Sequence, residues 1–346
     1  MDVLTLTMNM REKIKELWKR CFHDSEEFTE LYFRLRYSDD VNVALQSGGE
    51  VVAALQVLPF PMTFGGEEIS TGYISGACTH PDHRNRGLMR ELLTEAFARM
   101  RRGGVLLSTL IPAEPWLFGY YARSGYAPVF GYAEKRFVAA EAPVADTSFT
   151  LEMSDAYAQK SYEYLSRKLR ERSCCLQHTA ADFRVVMADL RLSRGFVGTL
   201  NREGRIAALA VAYPLEEGGW RIGEIVSDTP EAETLLLEFV CRRLRVPSLR
   251  VVVPSVCGDS RPLGMARVIH AETMLRIYAA AHPEVELSLC LTDEQVPLNN
   301  GYYRVKDGKC EKSAKRLPGS CPTVSVGELA ERMLAGERAY MSLMMD

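Results

Sequence analysis

The feature that most constrains this chain is a passage near residue 80, where a strand-like apolar pattern passes into an amphipathic helix through a short basic loop. Residues 68–78 read as a strand that ends at His80 and Pro81. Over residues 87–100, Leu88, Leu92, Leu93 and Phe97 then recur at the three- and four-residue spacing of a buried helical stripe. Between the two stands Arg84-Asn85-Arg86-Gly87. A glycine at 87 lets the backbone approach a ligand closely, and the first N–H groups of a helix lack partners within it, so they point outward at the positive end of the helix dipole. Arg84 and Arg86 can add charge-assisted hydrogen bonds to phosphate oxygens. A polyphosphate fits such a loop; so does the plainer reading, in which a basic loop caps an ordinary helix.

The surroundings are mixed α/β. Residues 11–35 read as one or two helices, with Ile14, Leu17, Trp18, Cys21 and Phe22 on one face. Residues 41–45 and 51–58 flank Ser47-Gly48-Gly49 as an antiparallel hairpin. After Gly103-Gly104 come an apolar strand at 105–111, a short helix at 115–121 and a returning strand at 128–137. Residues 141–147 look like a linker. Beyond them the order begins again, with helices at 155–170 and 181–193, a hairpin of 195–200 with 205–213, a strand at 220–226 and a helix at 231–243. Ala53-Ala54-Leu55-Gln56-Val57 has a counterpart in Ala207-Ala208-Leu209-Ala210-Val211, which suggests an internal duplication. The second strand-to-helix passage, Asp228-Thr229-Pro230-Glu231, lacks glycine and is acidic, so only the first can hold a polyphosphate. Past His282 follow strands near 285–291, a turn at Asn299-Asn300-Gly301 and a helix near 326–334. The final Tyr340-Met341-Ser342-Leu343-Met344-Met345-Asp346 is unusually apolar for a terminus. The expected domains are 1–140, 148–282 and 283–346.

With 346 residues, 47% of them apolar and 25% charged, several globular domains are expected. A net charge of -3 offers no field for a phosphate backbone, so no nucleic-acid partner is expected. Without a signal-like leader or a run of ~18 apolar residues, the expectations are no membrane partner and a cytoplasmic location. The nine cysteines include no C-x-x-C pair, and of the six histidines only His80 and His83 are close in sequence, so no metal site is expected.

The segment from His80 to Leu88 resembles the acetyl-CoA-binding motif of the GNAT superfamily of N-acetyltransferases, R/Q-x-x-G-x-G/A, with Met89 standing where Gly or Ala is usual. Tyr121-Ala122-Arg123-Ser124-Gly125-Tyr126 resembles the family's Y-x-x-x-G-[FY] segment. Pro297-Leu298-Asn299-Asn300-Gly301-Tyr302-Tyr303 and the apolar terminus are similar to the C-terminal sterol-carrier-protein-like domain of the Eis-like branch. The resemblance implies an α/β (α+β) chain of tandem GNAT-like domains with mixed, mostly antiparallel sheets, the second degenerate, plus a small C-terminal α+β sterol-carrier-like domain. It implies acetyl-CoA as cofactor, bound between splayed strands around 72–79 and 105–111 by Ala77, Cys78, Thr79, Arg84, Asn85, Arg86, Gly87, Leu88 and Met89. Tyr121 is then the proton donor to the departing thiolate, and the terminal carboxylate on Asp346, threading back with the apolar tail into the active site of the first domain, the base, with Glu114 or a water relay as alternatives. Trp18, Phe22, Phe28 and Glu114 are candidate walls of an acceptor pocket. The acceptor is a primary amine (aminoglycoside, polyamine or lysine-like) attacking directly in a ternary complex, and the resemblance raises the expectation of a homo-oligomer. A non-catalytic acyl-CoA- or lipid-binding protein is the competing class.

Overall fold

The computed structural model describes residues 3–140, 148–255 and 260–345. The chain starts with helices α1 (Val3–Cys21) and α2 (Glu26–Leu35), then β1 (Asn42–Ser47), β2 (Glu50–Phe64), β3 (Glu67–Thr79), α3 (Leu88–Arg102), β4 (Leu107–Leu110), α4 (Pro115–Ala122) and β5 (Ala127–Val138). It continues through β6 (Phe149–Ser154), α5 (Gln159–Arg170), β7 (Cys175–Leu176), α6 (Ala180–Leu192), β8 (Phe196–Arg202), β9 (Arg205–Pro214), β10 (Trp220–Ser227), α7 (Pro230–Leu244) and β11 (Ser248–Pro254). Last come β12 (Arg261–Val268), α8 (Ala271–Ala281), β13 (Leu287–Thr292), β14 (Gly301–Lys306), β15 (Lys309–Ser313), β16 (Thr323–Ser325) and α9 (Val326–Leu334). Two compact units result: Met1–Phe130 with Leu263–Ala339, and Gly131–Pro262 with Tyr340–Met345. The fold is the mixed α/β arrangement expected from the sequence. Among the described residues no helix is long and apolar enough to cross a membrane.

In the first unit β1, β2 and β3 are antiparallel neighbours, β4 joins β3 in parallel, and β12 pairs antiparallel with β4 from Met265↔Leu110 to Val268↔Leu107. The helical stripe read from the sequence is the buried face of α3: Leu92, Leu93, Ala96, Phe97 and Met100 pack with Leu55, Ile74, Leu110 and Met265. Sequence places domain boundaries at 140 and 282, whereas contacts end the first stretch at Phe130 and place all of Leu263–Ala339 in the first unit. Two long-range anchors account for this. One is the β12–β4 pairing. The other is Asn299, whose Oδ1 accepts from Arg101 Nη1 at 2.9 Å and from the Ala271 amide at 3.0 Å, and whose Nδ2 donates to Asp293 Oδ2 at 2.9 Å. The Asn-Asn-Gly turn thus ties α3 and α8 to the small sheet, ordered β15-β14-β13-β16. Its helix α9 starts in a capping box of Ser325 and Glu328.

β3 is interrupted near its end. Gly76 has φ +58°, the register with β2 slips between Ala54 and Gln56, and a Cβ on Gly76 would lie 2.1 Å from the Trp18 ring. A glycine inside a strand commonly marks such a bulge or close approach. Gly76→Ala combines left-handed strain with a collision against a buried indole, so it should lower unfolding free energy by about 2–4 kcal/mol in urea titration. A loss below about 0.5 kcal/mol would contradict this packing.

The second unit repeats the order. β9 and β10 are antiparallel, β10 and β11 are parallel over Arg221↔Arg250 and Ile222↔Val251, the β10 register shifts between Ile222 and Glu224, and α7 follows. The apolar end of the chain is buried here. The Tyr340 amide donates to Cys174 O at 2.9 Å, the Leu176 amide donates to Tyr340 O at 3.0 Å, and Tyr340 and Leu343 join the core of α5 and α6. Asp346 and the linker 141–147 lie outside the described residues.

Candidate active site

The basic loop has the conformation that glycine permits. Residues Pro81–His83 make one 3₁₀ turn, Asn85 has φ +61°, and Gly87, at φ +80°, is the N-cap of α3. No side chain caps the helix there, and a Cβ placed on Gly87 would meet nothing within 4 Å. The Glu91 amide closes the first helical bond onto Gly87 O at 3.1 Å. The amides of Leu88, Met89 and Arg90 find no partner among the described residues and stand at the positive end of a 15-residue helix. Arg84 Nε donates to Thr79 O at 3.3 Å and Arg86 Nη2 to Asp82 O at 2.9 Å, so both arginines brace the loop. The counterpart in the second unit is closed: Thr229 caps α7 by accepting from the Ala232 amide at 3.2 Å, and Pro230 occupies the first turn.

The loop opens on a cleft of about 750 Å³ in the first unit. The register of β3 with β4 runs only from Thr71↔Leu107 to Tyr73↔Thr109. Past it β3 turns at Gly76, and Ala77, Cys78 and Thr79 continue beside β2 and line the cleft. This is a splay between parallel neighbours, with the open edge of β3 on one wall. Because the His80 amide donates to Val52 O at 2.9 Å, strand alternation turns the Thr79 backbone groups away from β2.

Tyr121 forms part of the opposite wall. It is 8% exposed, its ring lies edge-on to Tyr120 at 5.4 Å and to Tyr126 at 5.9 Å, and its hydroxyl has no hydrogen-bond partner among the described residues. Burial pushes its pKa well above that of a free phenol, with Tyr120 and Cys78 adding smaller electrostatic contributions, so it stays protonated through the physiological range. Tyr126 belongs to the core, with its hydroxyl 2.7 Å from Ser108 Oγ.

Ala77, Cys78, Thr79, Arg84, Asn85, Gly87, Leu88, Met89, Tyr121 and Phe22 all reach the cleft, while Arg86 turns to Asp82. The Met89 side chain packs inward with Leu92 and Leu93, so the departure at this position places a thioether in the core. Three expected pocket residues are not brought there. Trp18 is 6% exposed under Gly76 and donates to Asp24 at 2.8 Å; Phe28 packs on Tyr32 with ring centroids 6.2 Å apart; and Glu114 is the exposed N-cap residue of α4. Sequence reasoning missed Arg90, Arg123 and Trp116, the last 67% exposed, which also line the cleft. It also missed Cys21. This residue reads as core from its helical spacing, yet its Sγ lies 3.5 Å from Thr79 O in the cleft wall. The hydrogen bond from Cys78, with Arg84 and Arg20 nearby, outweighs partial burial and lowers the Cys21 pKa to about 7; that bond and burial raise Cys78.

The described side chains lining the cleft include three arginines and His83 but no carboxylate. Together with the uncapped helix end and the open Gly87, that donor set suits a polyphosphate-bearing thioester such as acetyl-CoA. Among the described residues, no group of three or more His, Cys, Asp or Glu could hold a metal ion.

Residues 3–129 match the family model described as an acetyltransferase (GNAT) domain. No curated protein matches the chain in sequence. Among solved structures, a GCN5-related N-acetyltransferase from Kribbella flavida superposes with a TM-score of 0.76 at 18% identity, over 98% of this chain and 96% of that one. One from Anabaena variabilis gives 0.75 at 16% identity, over 93% and 87%. Eis1 from Mycobacterium abscessus gives 0.71 at 16% identity, over 95% and 88%. At such identities the likeness establishes the fold; the acetyltransferase (GNAT) domain matched over residues 3–129 is what supports N-acetyltransferase chemistry.

Proposed function

We propose that this enzyme transfers the acetyl group of acetyl-CoA to a primary amine on an aminoglycoside, polyamine or lysine-like acceptor, by direct attack in a ternary complex. The observation that carries this reading is that the uncapped start of α3 and the unpartnered Tyr121 hydroxyl open on one cleft. The amides of Leu88–Arg90 and the side chain of Arg84 hold the diphosphate. Backbone groups of Ala77 and Thr79 face the splay, where they orient the pantetheine amides and polarise the thioester carbonyl. When bound, acetyl-CoA supplies an activated acyl group. Tyr121, kept protonated by burial, delivers its proton to the leaving sulfur. The amine's proton passes to the terminal carboxylate on Asp346, to Glu114 or to a water relay. We read Pro283 onward as the sterol-carrier-like domain of an Eis-like chain, and the assembly as a homo-oligomer.

The absence of a carboxylate among the described cleft side chains also fits a second reading, a protein that binds acyl-CoA without turnover. Thiol release from acetyl-CoA with a panel of amines separates the two. Release above buffer with at least one amine is expected; tight coenzyme binding with no release from any amine would favour the binder.

Coenzyme binding itself rests on Gly87. A β-branched residue at φ +80° costs about 1–3 kcal/mol, so Gly87→Val should weaken acetyl-CoA binding roughly 5- to 150-fold in calorimetric titration. Unchanged affinity would place the diphosphate elsewhere.

A further inference from the structure

Two thiols in the cleft wall take no part in the proton transfers described above. Cys21 is the last residue of α1 and Cys78 lies near the end of β3, next to Thr79. Both line the cleft, and each acts on the other's ionisation, lowering that of Cys21 and raising that of Cys78. Cys21 is half-buried, whereas Cys78 is 6% exposed. Their neighbours are Arg84, which braces the loop, and the Thr79 carbonyl, 3.5 Å from Cys21 Sγ.

We infer that Cys21 and Cys78 form a hydroperoxide-reactive dithiol whose disulfide narrows the cleft against coenzyme binding. With its pKa lowered to about 7, a substantial part of Cys21 is thiolate at neutral pH, and the cleft admits a small oxidant to it. The other thiols with resolved shifts go the opposite way: burial pushes Cys175 up to about 12, and Cys241 and Cys310 up to about 11. Selectivity for Cys21 follows from that contrast.

The Cys21 thiolate attacks the peroxide: an S–O bond forms, the O–O bond breaks, and the departing oxygen takes a proton and leaves as alcohol or water. Sulfur is thereby oxidised to sulfenic acid by two electrons and the hydroperoxide is reduced. Cys78 then attacks that sulfur. An S–S bond forms, the S–O bond breaks, and water leaves with the Cys78 proton. A covalent bond between the end of α1 and β3 pins Ala77–Thr79, the segment assigned to pantetheine, to the end of α1 beside Phe22, which lines the same cleft. The effect on binding rests on the coenzyme reading; the thiol chemistry does not.

The test treats reduced, full-length protein with hydrogen peroxide and follows peptide masses and acetyl-CoA affinity together. A Cys21–Cys78 crosslink, about 2 Da lighter than the dithiol, is expected, with affinity falling by about tenfold or more and returning with dithiothreitol. In Cys78→Ser the sulfenic acid persists and a dimedone adduct accumulates on Cys21; in Cys21→Ser no crosslink to Cys78 forms. If peroxide yields another pairing or only irreversible oxidation, the dithiol is refuted. A crosslink with unchanged affinity refutes the narrowing. If reduced protein binds no acetyl-CoA, the coenzyme reading and the narrowing fall together, and the peptide masses still decide the dithiol.

Discussion

Tyr121→Phe is expected to lower kcat about 100-fold while changing acetyl-CoA affinity less than about twofold. The substitution removes one oxygen and keeps a ring that is already packed edge-on between Tyr120 and Tyr126, so the wall of the cleft survives. No hydrogen bond among the described residues is lost, because the hydroxyl has none. The change therefore isolates proton delivery to the leaving sulfur. Burial raises the folded-state pKa of this phenol, so the acid form persists to higher pH than in free tyrosine, and the rate should not fall through loss of this proton near pH 10. A rate for the Phe variant within a few-fold of the parent would remove Tyr121 from the chemistry.

Local features were legible in the sequence because their causes are local. The stripe of Leu92, Leu93 and Phe97 is the buried face of α3, and Gly87 takes the left-handed conformation that an open loop requires. The contrast between that loop and Asp228-Thr229-Pro230-Glu231 was also visible, since a side-chain cap and a proline are sequence features. What escaped depends on partners far along the chain. Trp18 read as a pocket wall, but the bulge at Gly76 gives its ring a place to pack; the glycine inside the strand pattern was the available signal. Cys21 is indistinguishable from a core residue until β3 brings Cys78 beside it. The β12–β4 pairing joins residues more than 150 positions apart, and nothing in its neighbourhood announces the partner. The apolar tail was expected to thread back into the first domain, whereas Tyr340, Met341, Leu343 and Met345 are buried in the second unit, with Tyr340 hydrogen-bonded to Cys174 and Leu176 and packed with Leu343 on the core of α5 and α6.

Arg267 and Asp293 form the contact whose loss should cost the most stability. Their side chains are 1% and 2% exposed, with Arg267 Nη2 donating to Asp293 Oδ1 at 2.6 Å. The same carboxylate accepts the Gln295 amide at 3.1 Å, the Val296 amide at 3.0 Å and Asn299 Nδ2 at 2.9 Å. Asp293→Ala would strand a buried guanidinium and three further donors, a situation that typically costs about 3–5 kcal/mol. The exposed pair Arg90–Glu294 next to it is the built-in control, because solvent screens it and Glu294→Gln should leave the unfolding midpoint essentially unchanged. Arg267 also lies 4.1 Å from the Phe97 ring centroid and donates through Nε to Ser124 O at 2.8 Å. Ser124 ends the turn after α4, three residues beyond Tyr121, so the ion pair fixes the base of the helix that carries the phenol. Asp293→Ala should therefore reduce kcat even below its unfolding midpoint, where the protein is still folded, because α4 loses the support that aims Tyr121 into the cleft. Urea titration of both variants decides the energetic claim: equal midpoints would mean that Arg267 finds water or another acceptor, and that the buried pair is dispensable.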